Sequence, residues 1–148
     1  MTDTLYDADF YTWTQAQAAA LRAKDLAALD LDHLAEEIEE VGKSHRHAVH
    51  SHLKILVQHL LKTTHQTPPR RSWLTSIDNA RTELALKLRD SPSLHADLDA
   101  FLAWAYPRAR KAAARETGLP RTTFPETCPW GLDQLLDEDF WPYEERGT

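Results

Sequence analysis

Apolar residues return along this chain every three or four positions, the period of one helix face, and no stretch alternates apolar with polar residues for long. Phe10, Trp13, Gln17 and Leu21 mark a first helix, with Asp7 placed to cap it. Asp30 is placed to cap a second helix beginning at Leu31. Numbering a heptad from Leu31 as position a puts Leu31, Ile38, His45, His52 and His59 at a, and Leu34, Val41, Ala48 and Ile55 at d. The e positions add Ala35, Val49 and Leu56. The stripe keeps its phase across Gly42, which predicts one helix over about 31–64, although glycine costs about 1 kcal/mol relative to alanine. Pro68 and Pro69 end it. Trp73, Ile77, Leu84 and Leu88 make a third apolar face. Ser91-Pro92 reads as a cap followed by proline at the first helical position. It opens a fourth helix lined by Leu94, Leu98, Phe101, Leu102, Ala105 and Ala112, with Pro107 kinking it and Gly118 closing it. LPRTTFPETCPW is a proline-rich loop, after which Thr127 caps a short last helix.

The expectation is an all-α fold, an elongated bundle of four main helices plus a short C-terminal helix, forming one domain over residues 1–148. Elongation follows from the second helix. At 1.5 Å per residue it is about 50 Å long, against a radius of gyration of about 15 Å for a compact domain of this size. The alternative is a bend at Gly42.

Charge adds a second pattern. The net charge of −6 is unevenly spread. Residues 1–42 hold ten acids and two bases, residues 43–121 hold fourteen Lys/Arg and six acids, and residues 122–148 hold seven acids and Arg146. A basic middle between acidic ends has two readings. In one, the ends pack against the middle or the charges mix on the surface. In the other, Arg70, Arg71, Arg108, Arg110, Lys111 and Arg115 form an anion-binding face, masked by the acidic tail at 133–145 or filled by an external ligand. Overall acidity argues against non-specific nucleic-acid binding. The single cysteine, Cys128, excludes an internal disulfide. The N-terminus lacks a basic region and an apolar run, and nowhere do about 18 apolar residues follow one another. A cytoplasmic protein with no membrane association is expected.

The histidine-rich stretch carries the most specific chemical question. Three successive a positions are His45, His52 and His59, with Glu37 at the flanking g position and His47 and His50 predicted in solvent. Residues seven apart lie about 10.5 Å apart along a helix axis, too far for two of them to share one zinc ion through bonds of about 2.0–2.1 Å. A divalent metal would need ligands from facing helices. Glu116 and Gln17 fall on predicted inward stripes, but the Glu-x-x-His spacing of carboxylate–histidine bundles is absent. Neutral, partly buried histidines satisfied by backbone or carboxylate are the simpler reading. Cys128 reads as a structural thiol at a helix start, and no serine stands in a nucleophile-elbow context. Arg70, Arg71 and Trp73 suit either phosphate clamping or helix-entry packing.

The stretches YDADFYTWTQAQAAALR, LDLDHLAEEIEEVGKS, HLLK, RSWLTSI, DSPSL, ETGLP and CPWGLDQLLDEDFWP occur in order across nearly the whole chain. Together they resemble the bacterial family known as domain of unknown function 29. The resemblance implies an all-helical fold and supplies no activity. The family's HLLK histidine matches His59, and where that family usually has tryptophan after HLLK this chain has Thr63.

Three functional classes follow. The first is a non-enzymatic interaction or adaptor module with a protein partner, favoured because no catalytic constellation assembles at acceptable spacing. The second is a metal-binding or hydrolytic site centred on His59 with Glu37 or Glu116, and with His52 and His45 as further candidates. The third is anion or nucleic-acid binding through the basic middle. The sequence names neither a partner nor an oligomeric state.

Overall fold

Asp9, not Asp7, starts the first long helix. Its Oδ1 accepts from the Thr12 amide at 3.1 Å and its Oδ2 from the Thr12 hydroxyl at 2.8 Å, satisfying a donor that the first turn leaves free. Asp7 instead lies in α1 (Leu5–Ala8), a one-turn helix capped by Thr4. The sequence carries two start signals five residues apart, and the chain uses both.

The computed structural model describes residues 4–142. After α1 come α2 (Phe10–Ala23), α3 (Leu31–His65), α4 (Arg71–Asp90), α5 (Leu98–Thr117) and α6 (Leu132–Leu136). Short 3₁₀ segments lie at Leu26–Ala28, Pro92–Asp97 and Arg121–Thr123. No strand occurs among the described residues, and the fold is all-α. The second predicted helix is continuous through Gly42. Two predicted starts move. Ser91-Pro92 opens the 3₁₀ segment rather than α5, and Ser91 makes no side-chain cap. The last helix begins after Gly131, whose amide donates to Gln134 Oε1 at 3.1 Å, rather than at Thr127. Gly118 closes α5 with φ +75°, a left-handed conformation that glycine adopts freely.

The chain forms two compact units, dividing between Ser44 and His45. The first comprises α1, α2 and the start of α3. Its centre is aromatic and polar. Tyr6 stacks on His33 at 3.9 Å and meets Trp13 edge-on at 4.8 Å. Trp13 Nε1 donates to Asp30 Oδ2 at 3.1 Å. Gln17 donates to the Ala28 carbonyl at 3.2 Å and accepts from the Asp30 amide at 2.7 Å. Asp30 Oδ1 also sits 3.5 Å from the His33 amide, at the predicted start of α3. Only Trp13, Gln17 and Ala20 are buried here among the described residues. Most of the unit's large apolar side chains lie outside.

The second unit has the larger core. From Leu56 to Thr63 only His59 escapes full burial, so this part of α3 is surrounded rather than one-sided. α4 contributes Trp73, Ile77, Ala80, Leu84 and Leu88. α5 presents Ala105, Ala109 and Ala113 at four-residue intervals, small side chains that bring its backbone close to its neighbours. Phe124, Trp130 and Leu135 close the core. Phe140 and Trp141 pack against it, as their apolar area requires. In the first unit Phe10 and Tyr11 are 49% and 72% exposed.

In the second unit the stripe holds at its e positions and fails elsewhere. Val49 and Leu56 at e are buried, but so are Leu53 and Leu60 at b, outside the stripe, whereas Ile55 at d is 37% exposed. A straight α-helix drifts about 20° per heptad against a seven-residue repeat. By the fourth heptad a frame set at Leu31 has turned well away from the face that packs.

Candidate functional site

That rotation decides where the histidines stand. His45, His52 and His59 are all intermediate in exposure, at the margin of the core face. His45 Nε2 lies 3.2 Å from the Lys87 carbonyl, where it ties α3 to the last turn of α4. His52 lines a shallow cleft with Ile55, Ser76, Asn79, Ala80 and Glu83. The Ser76 hydroxyl donates to the Ser72 carbonyl at 3.0 Å, so its proton is engaged within α4. Burial and the charge of Lys62 push the His59 imidazole below its ordinary pKa, against the opposing pull of Glu116. Its Nδ1 is buried without a hydrogen-bond partner among the described residues, so the expected satisfaction fails at that nitrogen. Among the described residues no three His, Cys, Asp or Glu side chains come together as metal ligands.

Of the two carboxylates paired with His59 in sequence, Glu116 shares its unit and acts on it through charge. It accepts from Gln58 Nε2 at 2.9 Å and from Lys62 Nζ at 2.6 Å. Burial acts to raise its pKa, but the hydrogen bonds from Lys62 and Gln58 outweigh this and hold the carboxyl below its ordinary range. Lys62 is almost fully buried and also lies 4.6 Å from the centre of the Trp73 ring. Here the end of α3, the start of α4 and the end of α5 meet. Glu37 belongs to the first unit and accepts a hydrogen bond from the Tyr6 hydroxyl. Gln17 is buried there too, engaged with Ala28 and Asp30.

The basic middle is partly absorbed into the fold. Arg70 sits over Trp73 at 5.5 Å. Arg108 covers the Trp104 ring at 4.3 Å and donates to the Trp104 carbonyl at 2.8 Å. Arg110 Nε donates to the Phe124 carbonyl at 3.0 Å. Arg70, Arg71, Arg108, Lys111 and Arg115 are all exposed, and Arg110 is half-buried. The meeting of Lys62, Trp73 and Glu116 puts the start of α4 beside the end of α5, as an antiparallel pair requires. Of the tail acids, Asp133, Asp137, Glu138 and Asp139 are exposed, while Glu144 and Glu145 lie outside the described residues.

Two expectations are corrected here. His50 is not solvated: its ring meets Phe101 edge-on at 4.1 Å and stacks on Trp104 at 5.0 Å, and burial pushes its pKa down. Cys128 is not at a helix start. Its thiol contacts the Trp130 carbonyl at 3.4 Å, and burial pushes its pKa up, away from a reactive thiolate.

Sequence reasoning missed Arg81. It is 2% exposed, the largest fully buried side chain among the described residues. Nε donates to the Leu135 carbonyl at 2.8 Å and Nη2 to the Gln134 carbonyl at 3.3 Å, and Trp141 lies 5.4 Å from the guanidinium. The signal was present: Arg81 stands four residues after Ile77 and three before Leu84, on the face that the apolar spacing had already turned inward.

These observations define an all-α protein in which buried polar side chains join helix ends. The chain belongs to the family described as Domain of unknown function DUF29, whose model matches residues 5–141. No curated protein and no solved structure matches it. Among the described residues no helix is long and apolar enough to cross a membrane.

Proposed function

We propose that the chain is a non-enzymatic protein-interaction module whose first unit docks an amphipathic helix carrying basic residues. The observation that supports this is the exposure of Leu31, Ile38 and Val41, at 67%, 70% and 69%. At about 100° per residue the three fall within about 80° of one another around α3. Isolated exposed leucines are ordinary on protein surfaces. An aligned series on one helix is the pattern of a partner helix. Eight of the ten large apolar side chains left exposed among the described residues belong to this unit.

Charge selects the partner. Asp32, Glu36, Glu39 and Glu40 stand in the same turns of α3, within a segment of ten acids and two bases. The same face of a second copy would set these acids against each other, whereas Lys or Arg flanking an apolar stripe would complement them.

The test uses two synthetic helices with leucine at a and d, one flanked by lysine and one by glutamate, titrated calorimetrically into the full chain. The lysine helix should bind, more weakly as salt rises, and Ile38→Asp with Val41→Asp should abolish binding. Because both positions are exposed, the double variant should keep its stability to within about 1 kcal/mol. Equal binding of the glutamate helix, or unchanged binding by the double variant, would sink the proposal. So would a wild-type dimer that the aspartates dissolve, since it would make a second copy the occupant.

A further inference from the structure

We propose that the cleft beside Arg81 in the second unit binds a small organic oxyanion, a carboxylate or phosphate carried on a compact apolar body. The cleft has a volume of about 340 Å³ and is lined by Arg81, Ala85, Leu88, Arg89, His95 and Leu136. That size lies at the low end of small-molecule sites. Three of the lining residues carry basic groups and none is acidic. Ala85, Leu88 and Leu136 supply an apolar wall.

Arg81 makes this more than a surface depression. Burying a guanidinium costs several kcal/mol unless its charge is met, and the carbonyls of Gln134 and Leu135 supply dipoles rather than charge. Nη1 is buried and has no hydrogen-bond partner among the described residues. Asp78, Asp137 and Glu138 act on Arg81 through charge, and none forms an ion pair with it within 4.0 Å. These acids oppose an incoming anion, so the ligand must draw on all three bases. Nη1 is covered in this arrangement. The anion therefore meets Arg89 and His95, both exposed, and Arg81 acts on it through charge from behind the cleft. Arg89 is available for this. Its Nε lies 3.8 Å from Asp90 Oδ1 in a pair that is mostly exposed, and such pairs hold little.

The test uses the full chain at low salt with four probes: benzoate, phenyl phosphate, inorganic phosphate and benzyl alcohol. Binding is followed by calorimetry and by the side-chain NMR signals of His95 and Arg89. One or both aryl anions should bind, and which of them binds tighter distinguishes a carboxylate from a phosphate ligand. Inorganic phosphate should bind about tenfold more weakly for want of apolar contact, and benzyl alcohol should not bind. Replacing both exposed bases, Arg89→Gln with His95→Gln, should weaken the aryl anions by about tenfold or more and leave the fold intact. The proposal is overturned if neither aryl anion shifts His95 or Arg89, if benzyl alcohol binds as well as benzoate, or if the double variant binds unchanged. Inorganic phosphate binding as tightly as phenyl phosphate would overturn the apolar body.

Discussion

Replacing Arg81 with methionine should destabilise the second unit by about 3 kcal/mol. Two opposing effects set this number. Methionine is close in length and removes the desolvation of a buried charge together with the unpaired Nη1, which stabilises. Against that, the Leu135 carbonyl loses its donor at the end of α6, and the Gln134 carbonyl keeps only the Asp137 amide at 3.3 Å. Hydrogen bonds from a charged group contribute about 1.5–3 kcal/mol each, and helix-end carbonyls have no intrahelical substitute. Trp141 also loses the cation beneath its ring. Because one side chain links α4, α6 and the segment carrying Trp141, the losses should prevail. At about 2–4 °C per kcal/mol for a chain of this length, the melting temperature should fall by about 10 °C. Arg81→Lys should recover less than half, since one ammonium cannot reproduce the planar fork that spans two carbonyls. A methionine variant as stable as the wild type would show that the guanidinium's hydrogen bonds do no more than offset the cost of burying it.

The residues that sequence periodicity places correctly are those whose neighbours are local. Trp73, Ile77, Leu84 and Leu88 repeat at helical spacing because one face of α4 meets one core. Gly118 ends α5 where a residue with φ +75° is needed, a requirement written in the residue itself. The failures share a cause. A heptad frame extended from Leu31 carries no information about which helices surround each part of α3. It therefore assigned Ile38 and Val41 to a core that does not cover them, and His50 to a solvent that Phe101 and Trp104 displace. The pairing of Glu116 with the end of α3 was half visible, since Glu116 fell on an inward stripe. Its partner Lys62 was not, because lysine carries a strong expectation of exposure. The same expectation hid Arg81, whose spacing was as regular as that of the leucines beside it.

Lys62 and Glu116 should respond to mutation unequally, and the inequality identifies what the pair does. The Lys62 side chain is 6% exposed and that of Glu116 44%. Removing one partner of a buried ion pair costs about 3–5 kcal/mol because the other charge is left uncompensated. Here Glu116→Ala strands a buried ammonium with the face of Trp73 as its remaining support. Water reaching the half-exposed Glu116 position lowers the expected loss to about 2 kcal/mol. Lys62→Met removes the buried charge itself and leaves a carboxylate that water can solvate, so its effect should stay within about 1 kcal/mol. The double variant should resemble Lys62→Met, making the two changes strongly non-additive. The pH dependence has a fixed sign. The folded pKa of Glu116 is held below its ordinary value of 4.5. Its contribution is therefore fully present above that value and lost as pH falls through the folded pKa. The stability gap between wild type and Glu116→Ala should be constant near neutrality and close as the solution is acidified below about 4.5. Denaturant melts of the four proteins across that range check both claims. If Lys62→Met proves as damaging as Glu116→Ala, the lysine contributes through its packing against Trp73 rather than through its charge. If the gap persists unchanged into acid, the carboxylate of Glu116 is not what stabilises Lys62.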